Sequence, residues 1–530
     1  SFWTSFALNS AGDLENSRAA IGFVAKFQRD DGKIPHEIPQ SASFIPWFRQ
    51  FPYGYNAADA SPLFAVAVRD YVQASGDLEF ARLQAPRLWK ALDFMRSTLD
   101  RDGFPANLGV GPGWVEGGPL LPVRLELYQA GCYVESLRAL ASIARLLKDE
   151  DRARQLDAEF AQKRAAMDKL FWNPKLRSYA FAVSPRDQLV DEESVLATVP
   201  MWFHLLDDGQ AQQMLESLAE EKNSTDWGMR IISSSSPLYD PSGYHFGSVW
   251  PLFTGWAAVA EYQYHHPRQA LANLEANAAL ALSASGNTTE VLSGATATPL
   301  STASPHQIWS AAMVVSPLLR GLAGIEMDAV QNRLHFAPHL PANWPSFAAS
   351  GIRTSAGTLN LQLKRDRDTL NLIVTNTGAA PVDIDFAPSY PPCARILSAQ
   401  VGKVAAIWKS EVQPTDFHPR FAFSANSGTT ELRIRHAGIF DYSVPLSPPR
   451  LAKSSTNLRV LSERWSNQRD TLTLSVSGLA GEDYLLNTVG SDQIQAISGA
   501  SRDGAGNLLF KMPAGDTGKY VRHSITIRLR

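Results

Sequence analysis

Ser75-Gly76-Asp77-Leu78 is a helix exit followed at once by a helix entry. Gly accepts the left-handed conformation that ends a helix, and Asp is a preferred N-cap whose carboxylate meets the first free backbone N–H groups. Before this turn Leu63, Val66, Val68 and Tyr71 recur at helical spacing; after it Leu83, Leu88, Leu92 and Met95 do the same. Comparable punctuation returns at Ala11-Gly12-Asp13-Leu14, Asp149-Glu150-Asp151, Asp207-Asp208-Gly209 and His265-His266-Pro267. The alternate connections run to about 15–30 residues, far above the usual helix–helix loop. If short turns join antiparallel neighbours, every long loop emerges at one end of the assembly. A binding site belongs at that end.

Helical patterning accounts for about eleven helices up to Gly324, in hairpins recurring every ~60–70 residues. That period is too long for the common solenoid repeats, and a closed ring of six hairpins, an (α/α)6 toroid, fits it better. Such a ring needs an even number of helices. Because Ser1 already lies inside the apolar run Phe2-Trp3-Thr4-Ser5-Phe6, the twelfth helix is expected upstream. After Ile325 the period changes to two. Leu359, Leu361 and Leu363, then Leu370, Leu372 and Val374, alternate with polar residues, as an antiparallel β-sandwich requires. A Pro-rich linker at 445–449 precedes a second alternating block that runs from Leu472 to Leu529. The expectation is a multidomain α + β chain: a helical catalytic unit over 1–325, a β-sandwich over 326–445 and a small β domain over 450–530.

Composition narrows the partners. The chain has 530 residues and a net charge of -3 with both signs interspersed, which argues against nucleic acid or an anionic membrane as main partner. Its two cysteines, Cys132 and Cys393, fall in different expected domains and suggest no disulfide framework. Trp47, Trp114 and Trp227 lie in long loops, where aromatic faces suit the apolar faces of sugar rings.

The long loops carry the chemistry. His36 and Glu37 stand in the first, which closes on Tyr55-Asn56-Ala57-Ala58-Asp59. Gly113-Trp114-Val115-Glu116-Gly117 forms the second, with Glu126 opening the next helix. Asp226, Trp227, His245 and Trp250 mark the fourth, and Glu290, His306, Gln307 and Trp309 the fifth. Glycoside hydrolysis needs two carboxyl groups, one protonated to donate to the leaving oxygen and one to activate water or attack the sugar. Apolar neighbours raise the pKa of an acid. Glu116, beside Trp114 and Val115, is the expected acid; Glu290, beside two Thr, is the expected base. Asp226 and Asp240 are rival acids.

Gly247-Ser248-Val249-Trp250-Pro251, Glu290-Val291-Leu292-Ser293-Gly294 and Pro305-His306-Gln307-Ile308-Trp309 together resemble the glucosidase part of glycogen debranching enzymes. They are also similar to related (α/α)6-barrel glycosidases. The resemblance spans about residues 1–324. It implies inverting hydrolysis of an α-glucosidic linkage in an oligosaccharide, exo-acting, with no metal or organic cofactor. It places Glu116 where these enzymes carry the general acid, in a Trp-x-Asp motif with Glu for Asp, and Glu290 where they carry the base. Asp59, Glu126, Trp250, His306 and Gln307 fall at pocket positions. An inverting phosphorylase, in which phosphate replaces water, and a non-catalytic carbohydrate-binding protein are the alternatives. An anionic Glu290 would repel phosphate. His265-His266 reads as a helix-end pair rather than a metal site, and His245 and His306 read as hydrogen-bond partners of sugar hydroxyls.

Overall fold

The computed structural model describes residues 2–38, 52–107, 111–282 and 286–530, without the side chains of Pro52 and Tyr53. Trp47 lies outside the described residues. Eleven α-helices occur among the described residues: α1 Phe2–Ser10, α2 Leu14–Ala25, α3 Ala60–Ser75, α4 Leu78–Ser97, α5 Leu127–Leu146, α6 Glu150–Phe171, α7 Thr198–Trp202, α8 Asp208–Leu218, α9 Pro251–Gln263, α10 Pro267–Ala281 and α11 Ile308–Ser316. All five expected short turns join consecutive helices. At four of them an Asp side chain accepts from a first-turn backbone N–H: Asp13 from Asn16, Asp77 from Phe80, Asp149 from Arg152 and Asp207 from Gln210. Gly76 leaves α3 at φ +72°, and Pro267 starts α10.

Burial separates the helices into two sets. α5 and α9 are buried on nearly every face, as elements inside a core must be, whereas α2 and α6 bury only a single stripe. The inner helices α1, α3, α5, α7, α9 and α11 pack each against the next, and α11 packs back on α1. Gly255 lets α9 and α11 approach closely, since a Cβ there would meet the Met313 side chain at 2.2 Å. Leu83, expected on the packed face of α4, instead faces solvent.

Arg320, in the π-helical extension of α11, bridges the first and last inner helices. Its guanidinium donates to both Asp70 oxygens at 2.8 Å, to Ser10 Oγ at 2.7 Å and to the Phe6 carbonyl at 3.0 Å. Removing one member strands a buried charge. Asp70→Ala is therefore expected to cost about 3–5 kcal/mol in urea unfolding, and the paired change Asp70→Leu with Arg320→Met to cost less.

Beyond the helices the chain forms two pairs of facing sheets. The first pair has six and five strands, antiparallel except where Arg333–Phe336 runs parallel to Val382–Phe386. Leu359, Leu361, Leu363, Leu370, Leu372 and Val374 fill its core, as their alternation required. The second pair has four strands in each sheet, with Leu472, Leu474, Val476, Ile525, Ile527 and Leu529 inside. Asp441–Ser443, ahead of the Pro-rich run, already pairs with Asp483–Val489 of this last unit. Cys132 and Cys393 are free thiols. No helix among the described residues is long and apolar enough to cross a membrane.

Candidate active site

The long connections form a continuous rim through backbone contacts. His36 N donates to Gly54 O at 2.9 Å, and Ala58 N to Pro112 O at 2.8 Å. Gly111, at φ +124°, sits so close to the Asn56 carbonyl that a Cβ would overlap it. Gly118 faces the Phe246 ring, bringing the loop of Glu116 to the loop of Tyr244. Val249 and Leu292 exchange two hydrogen bonds of 2.8 and 2.9 Å, and Glu290 N donates to Ser304 O. Four of the five loops, separated by up to a few hundred residues in sequence, are thus one surface.

An aromatic floor underlies that surface. Trp114 meets Tyr128, Trp250, Phe253, Trp256 and Trp309 edge-on, with ring centroids 5.4–6.4 Å apart. Trp250 in turn stacks on Phe253 and His245 and contacts Tyr244 at 4.6 Å. The Tyr244 hydroxyl donates to Glu290 Oε1 at 2.9 Å, and Ser304 N donates to Oε2 at 3.0 Å. Both Glu290 oxygens accept, the hydrogen-bonding role of a carboxylate. A line of contacts therefore runs from Trp114, two residues before Glu116, through Trp250 and Tyr244 to Glu290.

Two further carboxyl groups are buried beside this cluster. Asp59, the residue before α3, is buried, and burial pushes its pKa up to about 6 despite a 2.7 Å hydrogen bond from the Tyr128 hydroxyl. Glu126, the residue before α5, is 1% exposed, and burial pushes it up to about 7 against the bond donated by Asn107 Nδ2. Its carboxyl sits directly under Gly113, where a Cβ would come within 2.4 Å of Oε2. The negative charge of Asp59 raises Glu126, and that of Glu116 raises Asp59, so these three acids sense one another.

The apolar enclosure expected around Glu116 falls elsewhere. Val115 is fully buried while Glu116 is exposed. Asp59 and Glu126 occupy the apolar surroundings instead. Glu126 also has a stability signature. Its folded pKa is raised, so between about 4.5 and 7 the unfolded chain has lost a proton that the folded chain keeps, and stability falls with rising pH. Glu126→Gln removes that slope: relative to wild type it is expected to gain up to about 3 kcal/mol between about pH 4 and pH 8. Denaturant midpoints across that range check it; a constant difference would show that Glu126 ionises normally in the fold.

The remaining expected site residues divide. His36 lies near Asp59, its charge favouring the ionised carboxyl, and its Nδ1 bonds Gly54 O at 3.1 Å. His245 is kept neutral by burial, which lowers it to about 4. Trp309 packs on Trp114, and Gln307 caps α11 with its side chain. His306 is exposed and bonds Asn287 Oδ1 at 2.5 Å. Glu37 is exposed.

Asp226 and Trp227 serve other ends. Asp226 accepts from Thr456 N, Asn457 N and the Arg459 guanidinium, fastening the segment after the Pro-rich run to the helical unit. Trp227 is buried with Val249, Leu292 and Ala297, and its Nε1 donates to Ser293 O. The rival acid Asp240 is exposed and accepts from Ser242 N. Sequence reading passed over Tyr128, Asn107 and the phenol of Tyr244. Tyr244 directly precedes His245, but its partner Glu290 is 46 residues away, so no local spacing pairs them.

Residues 128–310 match the model of the mannosylglycerate hydrolase MGH1-like glycoside hydrolase domain. The match lies within the helical unit. Among solved structures, the α-L-rhamnosidase from Dictyoglumus thermophilum aligns with TM-score 0.57 and 13% identity over 82% of this chain and 45% of that one. A protein titled sialidase aligns with TM-score 0.52 and 14% identity over 60% and 31%. These likenesses show a shared fold, and this chain spans less than half the length of either protein. The GH63 mannosylglycerate hydrolase from Thermus thermophilus, in complex with Tris and D-glycerate, aligns at 14% identity over 59% of this chain and 91% of that one, with a TM-score of 0.47. No curated protein matches the sequence. The matched stretch runs from α5 to the start of α11, and so includes Tyr128, Tyr244, Trp250 and Glu290 but not Glu116.

Proposed function

We propose that the helical unit is an (α/α)6 toroid acting as an exo-acting, inverting glycoside hydrolase on an α-linked oligosaccharide, with Glu116 as general acid and Glu290 as general base. The observation that carries this reading is the contact line Trp114–Trp250–Tyr244–Glu290, which ties the loop of one acid to the carboxylate of the other. A sugar lying on this floor would meet ring faces from below and carboxyl groups from its sides. Asp59, Glu126, His36 and His245 supply hydrogen bonds to its hydroxyls. Glu290 activates water, and Glu116 protonates the departing oxygen. The two β units serve as packing partners. The resemblance to debranching enzymes favours a glucoside.

The family match favours a second reading, in which the aglycone is acidic as in mannosylglycerate. A cavity of about 570 Å³ beside Glu116 is lined by Arg29 and Lys33 among others, cations suited to a carboxylate on the leaving group. Proton NMR of the first-formed sugar tests the mechanism on isomaltose, mannosylglycerate and an aryl α-L-rhamnoside. Inversion gives the β-anomer from the first two. Release of the anomer with retained configuration overturns the acid–base pair. Release of sugar phosphate only in added phosphate indicates the phosphorylase, and no release with retained sugar binding indicates a binding protein.

A further inference from the structure

At the short-turn end, away from the rim, three imidazoles converge on one carboxylate. His265 lies in the turn between α9 and α10, His339 follows the strand Arg333–Phe336, and Asp416 precedes and His418 belongs to the strand Phe417–Ala425. One donor atom from each falls within 4.8 Å of all the others. Asp416 lies 2.8 Å from His265 Nδ1, 3.0 Å from His418 Nε2 and 3.9 Å from His339 Nε2. The side chains of His339, Asp416 and His418 are all less than one-tenth exposed.

The outer contacts set the tautomers. His418 Nδ1 meets the Ala387 carbonyl at 2.7 Å and His339 Nδ1 the Gly321 carbonyl at 3.3 Å. A carbonyl only accepts, so each Nδ1 carries a proton and each Nε2 faces the cluster. Ser389 Oγ donates to Asp416 Oδ2 at 2.7 Å. A proton on His418 Nε2 would pair it with Asp416 Oδ2 at 3.0 Å, but protonating all three rings would crowd cations whose ring centroids are 5.0–6.0 Å apart. His265 Nδ1, His339 Nε2 and Asp416 Oδ1 are buried without completing a hydrogen bond among the described residues. A dication at the centre resolves all of these conflicts together.

We propose that His265, His339, Asp416 and His418 form a structural divalent-metal site that clamps the α9–α10 turn to the first β unit. Three imidazoles and one carboxylate in a closed set suit zinc. Zinc bonds of about 2.0–2.1 Å place tetrahedral ligands about 3.3–3.4 Å apart, inside the span of the observed edges. A cavity of about 920 Å³, lined by His339 and Asp416, gives the ion a way in. His265 is thereby more than a helix-end residue: its left-handed backbone, φ +61°, turns the ring towards the sandwich.

The untagged full chain, stripped with chelator and dialysed, tests this with zinc chloride and cobalt(II) chloride as probes. One equivalent of zinc per chain is expected by elemental analysis, with a rise of several degrees in apparent melting temperature. Cobalt should give the intense visible bands of a tetrahedral centre and be displaced by zinc. His339→Asn and His418→Asn should each weaken zinc binding by more than the roughly 10–100-fold typical of losing a second-shell partner. Wild-type stoichiometry and the cobalt spectrum decide the matter even if a variant fails to fold. Absence of stoichiometric binding, an octahedral cobalt spectrum, or binding unchanged in both variants overturns the site and leaves a proton-sharing cluster.

Discussion

Glu290→Gln is expected to lower kcat by about 10²–10⁴-fold while leaving the dissociation constant for substrate almost unchanged. The amide matches the carboxylate in shape, and the local hydrogen bonds can be rebuilt. Gln Oε1 can accept from Ser304 N, and its NH₂ can donate to the Tyr244 hydroxyl, which accepts as readily as it donates. The loop therefore keeps its place, and only the capacity to take a proton from water is lost. Steady-state kinetics on the best substrate, with sugar affinity by calorimetry, separates the two effects. Full activity in the variant removes Glu290 from the mechanism; equal losses of binding and rate make it a residue that positions the loop.

Glu116→Gln is the second large effect, and it depends on the leaving group. A glycoside with a poor leaving group needs its oxygen protonated, so kcat/KM is expected to fall about 10²–10⁴-fold. A dinitrophenyl glycoside or a glycosyl fluoride departs without that help and should lose far less. Equal losses on both substrates would take the acid role from Glu116. Two replacements then stand ready, because burial already lifts Asp59 to about 6 and Glu126 to about 7. The same substrate pair applied to Asp59→Asn and Glu126→Gln would identify which of them donates the proton.

The helical hairpins were legible because their signals are local. Asp77 reaches a backbone N–H three residues on, and Gly76 supplies its own φ, so a four-residue window contains the whole interaction. Period-two alternation was legible for the same reason, and Leu359, Leu361 and Leu363 are buried side by side. Leu83 shows the limit: a residue can hold the right period and still sit at the margin of a stripe. The loops announced their acids by residue type alone. Asp226 carried the same signal as Asp59, yet it holds Arg459 and the backbone of Thr456 and Asn457, partners more than two hundred residues away.

Sequence by itself determined the five short turns between helices, the switch from helical to alternating period, and the set of loops rich in acids and indoles. Each depends on groups a few residues apart, whose geometry follows from backbone sterics and side-chain chemistry. Tertiary structure alone decided which acid is buried and which is exposed, that Trp114 is the hub of five rings, and that His265 meets His339, Asp416 and His418. Desolvation, ring packing and ligand convergence depend on distances between segments remote in the chain, and only closure of the fold sets those distances.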